Sequence, residues 1–450
     1  MRSSFPWKNS DFTVAARQVP EDTMAGLRRR STFSVGLALM LGAALIGCAS
    51  RQPPGGGRTQ DELNQALGWV DPEAQAAARV PFAHDEFAMF AKQARLARKP
   101  AVLSPHKDIL VISGGGVYGS YPAGVLYGWS QTGTRPTFDV VTGISTGAMI
   151  AVFAFLGPSV DEDMRCAYTT TSDKDVFKKR RTMQALLSDA LNDSEPLARR
   201  IASYATDEKI RLVAMEHQKG RRLYVGTTDL DVRRGIFWDM GEIATRDTPE
   251  SRELFRKVLL ASASIPGFFP PVPIEVNVDG RRRVERHVDG GVSSSMFFAP
   301  PWVPPEQRDN LPNTWLHGSD LYILVAGKMY PDPTPVKSRT LSIVENAVST
   351  IIYDQTRSDL YKLFLLSIVT GMNYNVSAIP PEVPSPSEST SFKPPEMTVL
   401  FEAGVEWART NRRWRDTPPG GQPGEGARYR AGPVLTTTNH MNIISIPMCR

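Results

Sequence analysis

The stretch DVVTGISTGAMIAVFAFLG, Asp139 to Gly157, sets a short apolar run against two glycines that bracket a serine, then continues as an almost wholly apolar segment ending at Gly157-Pro158. The run has the length and composition of a buried strand, and the segment after Ser145 reads as a buried helix. Just upstream, DILVIS (Asp108 to Ser113) meets Gly114-Gly115-Gly116, and SYPAGVLYGWSQTG follows as a helix. Strand, helix, strand, helix in such a short span is a parallel α/β unit, whose ligands sit beyond the carboxyl ends of the strands. Both glycine boxes fall at that edge, so the expected fold is a three-layer α/β/α sandwich around a mainly parallel sheet.

The remaining pattern extends this unit. Residues 161 to 220 are polar and helical, an expected excursion over the sheet. RRLYVGTTDL and GIFWDM read as strands, and ESRELFRKVLLASAS as a helix up to Ile265-Pro266. IEVNVDGRRRVERHVDGG places Asp279-Gly280 between alternating runs, a hairpin signal. LYILVAG (Leu321 to Gly327) reads as a buried strand and Leu341 to Thr370 as a long helix. A Pro/Ser-rich loop (Ile379 to Pro395), a helix near Met397 to Asn411 and a Gly/Pro-rich tail close the chain.

Gly114-x-Gly116-x-x-Gly119 matches a dinucleotide fingerprint, which also needs an acidic residue at the end of the second strand. Asp139 stands at the start of that strand instead. A P-loop would need a Gly-Lys-Ser/Thr ending, which is missing. Adjacent glycines do let consecutive N–H groups converge in a nest that binds developing negative charge, an oxyanion hole if a nucleophile stands beside it. Gly143-Ile144-Ser145-Thr146-Gly147 sits between strand and helix, the context of a nucleophile elbow. The alternative is a glycine-lined turn with a serine cap.

A serine needs a base. The chain has six histidines, His84, His106, His217, His287, His317 and His440. The α/β-hydrolase order Ser, acid, His would call on His317 or His440. Asp289, in HVDGGV, is the other candidate.

Taken together these segments resemble the patatin-like phospholipases. SGGGVYGSYPAGVL is similar to that family's glycine-rich oxyanion segment, GISTG to its serine elbow, VDGG to its Asp-Gly motif, and ASASIPGFFPPV (Ala261 to Val272) to the segment between serine and aspartate. The resemblance runs from about Asp108 to Asn411. It implies a serine acyl hydrolase acting on lipid or phospholipid esters, with Ser145 as nucleophile, Asp289 as base, the N–H groups around Gly114, Gly115 and Gly116 as oxyanion hole, and no metal or cofactor. Water as acceptor implies hydrolysis, and another acceptor would make the same residues an acyltransferase. Tyr118 stands where the family commonly carries Arg or Lys. Asp289 is expected to be desolvated, because an unperturbed carboxylate is a poor base at neutral pH. Phe268, Phe269, Phe297 and Phe298 are candidates to receive an acyl chain. The rival readings are a His-dependent esterase and a non-catalytic envelope lipoprotein that uses the fold to bind.

Arg28-Arg29-Arg30, the apolar run STFSVGLALMLGAALIG and Cys48 have the layout of an export signal. Leu45-Ile46-Gly47-Cys48 resembles the bacterial lipobox, which implies acylation of Cys48 and a lipid-anchored protein of the cell envelope, in the outer membrane facing the periplasm. A simple N-terminal anchor helix is the alternative, and Met24 is a candidate physiological start. The expected organisation is a signal over 1–47, a lipidated tether over 48–60, a helical segment over 61–105, the hydrolase domain over 106–412 and a tail over 413–450. Residues 1–47 hold six Lys or Arg against three Asp or Glu, and without them the net charge of +5 falls to +2. Such a balanced body gives no electrostatic case for nucleic acid. Arg281-Arg282-Arg283 and Arg233-Arg234 read as solvated faces or contacts to anionic lipid. Export would permit a disulfide between Cys166 and Cys449, which the spacing leaves open.

Overall fold

Every second residue of the first strand points to the opposite side, and both sides are apolar, so the sheet must be covered twice. The computed structural model describes residues 106–180, 189–278, 281–298, 316–330, 336, 338, 340–386, 388–410 and 414–421. The expected signal, Met24 start, Cys48 lipidation, tether, N-terminal helical segment, Asp279-Gly280 turn, His84, His440 and Cys449, and the tail beyond residue 421, lie outside them.

In chain order the elements are β1 (Asp108–Ile112), α1 (Ser120–Gln131), β2 (Val140–Ile144), α2 (Thr146–Leu156), α3 (Asp161–Thr170), α4 (Asp173–Val176), β3 (Lys178–Lys179), β4 (Asn192–Asp193), α5 (Glu195–Tyr204), α6 (Asp207–Gln218), β5 (Arg222–Asp229) and β6 (Arg234–Asp239). They continue with α7 (Met240–Thr245), α8 (Pro249–Ser262), β7 (Val272–Val278), β8 (Arg281–Asp289), β9 (Asp320–Lys328), α9 (Thr340–Thr370), β10 (Asn373–Ile379) and α10 (Pro394–Arg409). The main sheet runs β10-β9-β1-β2-β5-β8-β7, with β6 also paired to β5. β10, β9, β1, β2 and β5 are parallel, whereas β6, β7 and β8 join through antiparallel pairs.

Leu110, Ile112 and Val141 pack on one face with α1, α2, α8 and α10, while Ile109, Val111, Val140 and Ile144 pack on the other with Leu360, Leu363 and Phe364 of α9. This is the expected three-layer α/β/α architecture. The edge strand β10 is a difference from the sequence reading, which assigned nothing there. NYNVSAI does alternate, with Tyr374 and Val376 buried in the α9 side of the core. Its asparagines lower the strand propensity and mask the period of two. Cys166, on α3, is disulfide-bonded.

α1 and α10 cross at very short range. A Cβ at Gly124 would stand 1.9 Å from the Phe401 carbonyl oxygen, and one at Gly404 would stand 2.3 Å from that of Tyr121. Two opposed effects meet at Gly404. Alanine gains up to about 1 kcal/mol of helix propensity, but overpacking against rigid backbone costs about 1–3 kcal/mol. Overpacking is expected to win, so Gly404→Ala lowers the melting temperature in calorimetry. An unchanged or raised value would show that the two helices can separate freely.

Candidate active site

Strand β5 brings the two candidate residues together. Its residues 222–226 pair with β2 and its residues 227–229 with β8, while β6 occupies the opposite edge along 224–229. β2 and β8 therefore meet end to end along one edge: Ile144 lies opposite Gly226, and Asp289 opposite the next residue, Thr227. Ser145 follows Ile144 directly. The Ser145 hydroxyl is near enough to the Asp289 carboxylate to help hold it charged, although 144 positions separate the two in the chain.

The turn at Ser145 is sharp. Its φ of 56° and ψ of −126° lie where non-glycine residues are strained, at a cost on the order of 1–3 kcal/mol. The flanking glycines make the turn feasible, since a Cβ at Gly143 would fall 2.2 Å from the Gly147 carbonyl oxygen, and one at Gly147 would fall 2.5 Å from that of Ser113. Ser262, fully buried at the end of α8, holds the turn from behind. It accepts a hydrogen bond from the Ser145 N–H (2.9 Å) and donates one to the Gly226 carbonyl (2.7 Å). Two residues on, the Ser264 carbonyl accepts from the Asp289 N–H at 2.9 Å. One short segment thus pins both backbones.

The Asp289 carboxylate accepts a hydrogen bond from the Gly291 N–H at 2.7 Å. It is 6 % exposed, and burial pushes its carboxyl up to about 6, while the Gly291 N–H and the Ser145 hydroxyl pull the other way. This is the desolvated aspartate the sequence reading expected.

The glycine box lies beside Ser145 with its members in different positions. The Gly114 N–H is engaged by the Ser295 carbonyl at 3.0 Å, so Gly114 cannot offer the donor expected of it. What it offers is space, since a Cβ there would stand 3.3 Å from that of Ser145. The Gly115 and Gly116 N–H groups have no acceptor among the described residues. Gly116 has a φ of 57° and starts a short 3-10 turn, which leaves these two amides as orphan donors. Asp359 of α9 accepts from the Ser295 N–H at 2.8 Å and the Ser294 hydroxyl at 2.9 Å, fixing the segment that holds Gly114.

From Ser145 an apolar pocket of about 980 Å³, including its open mouth, extends between the helices. Phe268 and Phe269 line it, as do Leu197, Ile201 and Tyr204 of α5 and Ala167 and Tyr168 of α3. The helices expected merely to cross the sheet are therefore walls of the pocket. Leu197 and Ile201, four residues apart, are the signal that would have shown it. Phe297 and Phe298 do not join this wall: both pack in the α9 side of the core, where Phe297 stacks on Phe237 at 3.9 Å between centroids. The Pro/Ser-rich loop also contributes Ser389, Thr390 and Phe392. Tyr118 ties that loop down, donating to the Pro386 carbonyl at 2.6 Å, while the Val117 N–H donates to the Ser389 carbonyl at 2.9 Å. Tyrosine here gives the loop a tether.

Of the two histidines named by the His-dependent alternative, His317 lies among the described residues and does not meet it. His317 precedes β9 at the end of the sheet where Asp108 pairs with Asp320, opposite to the edge that carries Ser145. Asp139 lies at that far end too, bound by Lys107 Nζ at 2.7 Å and by the Asp108 N–H at 3.0 Å. His287 is buried two residues before Asp289, but its ring bonds Thr227 Oγ1 (3.0 Å) and Glu285 (3.1 Å). Among the described residues, His106, Asp108 and Asp320 form one group with potential metal-ligand atoms within 4.8 Å of one another, and Asp229, Glu285 and His287 form a second. Neither group lines the Ser145 pocket.

Residues 110–302 match the family model described as patatin-like phospholipase. No curated protein matches the chain. Among solved structures, the chain is similar to VipD from Legionella pneumophila at 12% identity, over 71% of this chain and 72% of that one, with a TM-score of 0.34. It is also similar to a full-length ExoU–SpcU complex from the type III secretion system of Pseudomonas aeruginosa at 13% identity, over 68% of this chain and 52% of that one, with a TM-score of 0.19. The strand-turn-helix at Ser145, the glycine box and the Asp-Gly-Gly turn all fall inside the matched residues, and the chain carries a patatin-like phospholipase domain.

Proposed function

We propose that this domain hydrolyses lipid acyl esters through a Ser145–Asp289 dyad and an acyl-enzyme intermediate. The observation that carries the reading is a strained serine set beside a buried aspartate at the end of an apolar pocket, next to two unengaged amides. Ser145 Oγ attacks the ester carbonyl carbon while its proton passes to Asp289. The oxyanion that forms is received by the Gly115 and Gly116 N–H groups, each worth roughly 3 kcal/mol of transition-state stabilisation in comparable sites. The tetrahedral intermediate collapses, the alcohol leaves with the proton from Asp289, and the acyl group remains on Ser145. Water, deprotonated by Asp289, then releases the fatty acid. A carboxyl near 6 suits this exchange, being ionised at neutral pH yet basic enough to take a proton.

The pocket wall supports an acyl chain as the group transferred, because long apolar surfaces gain about 0.8 kcal/mol per buried methylene. The same reading assigns the protein to the bacterial envelope as a lipoprotein, anchored through acylated Cys48 in the outer membrane and facing the periplasm. Cys48 lies outside the described residues, and radiolabelled palmitate incorporation into the chain, lost in Cys48→Ala, tests this.

Hydrolysis of a panel of acyl esters and phospholipids is expected of the purified protein, with Ser145→Ala lowering kcat/KM at least about a thousandfold. Equal turnover by Ser145→Ala would overturn the mechanism. Because the base must be ionised, kcat/KM is expected to rise with pH and reach half its plateau near pH 6. A half-point near 4 would place an ordinary exposed carboxylate in that role.

Asp289 also links activity to stability. A carboxyl raised in the folded state binds its proton more tightly there than in the unfolded chain, so ionisation opposes folding. The penalty, up to about 3 kcal/mol, is full above about pH 6 and gone below about pH 4. Asp289→Asn is therefore expected to abolish hydrolysis yet melt no lower than wild type at pH 8, an advantage that fades as the pH drops. A melting point well below wild type at pH 8 would contradict this. Ser262→Ala removes the bridge between Ser145 and Gly226, and kcat is expected to drop about tenfold or more with little change in KM. A change in KM alone would assign Ser262 to substrate binding instead.

A further inference from the structure

The pocket beside Ser145 is apolar along most of its wall, and among the described residues that line it Arg200 alone carries a charge. Its guanidinium lies over the Tyr204 ring, 4.8 Å from the centroid, and Nη2 donates to Thr171 Oγ1 at 3.0 Å and, longer, to Thr170 Oγ1 at 3.4 Å. The Nε–H is buried and has no acceptor among the described residues. The cations around it differ: Arg199 pairs with Glu195, Lys209 with Asp163 and Arg256 with Asp207. Asp175 feels the charge of Arg200, but its carboxylate is engaged by the Ser172 N–H (2.9 Å) and hydroxyl (2.7 Å).

A guanidinium held in place by two hydroxyls and an aromatic face, with donors left over, is preorganised for an oxyanion. An apolar surround strengthens that attraction, and cleavage of a neutral ester makes no use of it. A glycerophospholipid carries a phosphate on the same glycerol as its scissile ester. We propose that Arg200 recognises the phosphate of a glycerophospholipid, so that the pocket favours phosphate-bearing acyl esters over neutral glycerides. The proposal rests on the acyl-hydrolase reading and adds to it the residue that reads the head group.

Two readouts on the full chain test it. The first is calorimetric binding of dodecylphosphocholine below its micellar concentration, dodecylglycerol and laurate, none of which holds a scissile ester. The second is the ratio of kcat/KM for lysophosphatidylcholine to that for a monoacylglycerol of the same chain. Arg200→Gln is expected to weaken dodecylphosphocholine about tenfold or more, to leave dodecylglycerol within about twofold, and to lower the kcat/KM ratio about tenfold. Arg200→Lys, which keeps the charge and loses the fork, is expected to fall between. Equal weakening of both neutral and zwitterionic ligands would make Arg200 a packing residue and overturn the proposal. So would weakening confined to laurate, which would assign it to the carboxylate of the released acid. Arg200-dependent binding without hydrolysis of either ester would instead sink the hydrolase reading and leave Arg200 as an anion-binding residue.

Discussion

The site depends on one shared strand edge. β5 uses its first five residues to pair with β2 and the next three to pair with β8, so that Ile144 and Asp289 stand opposite consecutive residues, Gly226 and Thr227. Backbone hydrogen bonds hold this register, and the alternation of buried side chains selects it. A strand shifted by one residue would send its alternating side chains to the other face, so the same pairing that buries the core also aims Asp289 at Ser145. The link from fold to chemistry is therefore topological: a parallel sheet that turns antiparallel at β8 delivers a carboxylate to the carboxyl end of β2.

Holding the pair there works against stability in two ways. Ser145 stays in a backbone region that ordinary residues avoid, and Asp289 stays charged at neutral pH although it is almost wholly buried. Each effect is of the order of the 1–3 kcal/mol that single substitutions typically change. The surroundings offset them by fixing backbone: Ser262 on Ser145, Ser264 and Gly291 on Asp289, and Asp359 on the segment that holds Gly114. Strain and desolvation at one place, with dense bonding around it, fit a site preorganised for a charged transition state.

Those parts of the site that need unusual backbone were legible in the sequence. Gly143, Gly147 and the run Gly114 to Gly116 advertise close approaches and orphan amides, and Asp289 sits in a turn written as Asp-Gly-Gly. Parts built from ordinary residues were not. Leu197, Ile201 and Tyr204 look like any amphipathic helix face until the fold sets α5 against Phe268, and Arg200 looks like any surface arginine until the pocket beside it is seen to lack other charge. Gly114 was assigned a donor role because sequence cannot show that the Ser295 carbonyl already engages its N–H. Ser262 lay inside a quoted segment, ASAS, yet which of its two serines faces Ser145 depends on where α8 ends. β10 was missed because its asparagines hide an alternation that only its place at the sheet edge makes meaningful.

The most direct measurement is to stop wild-type turnover of a long-chain acyl ester in acid within the first seconds and map the covalent acyl group by peptide mass spectrometry. The account expects one acyl chain, on the peptide that contains Ser145, and none when Asp289 is replaced by Asn. An acyl group on any other residue, or steady hydrolysis with no acylated peptide at all, would contradict it.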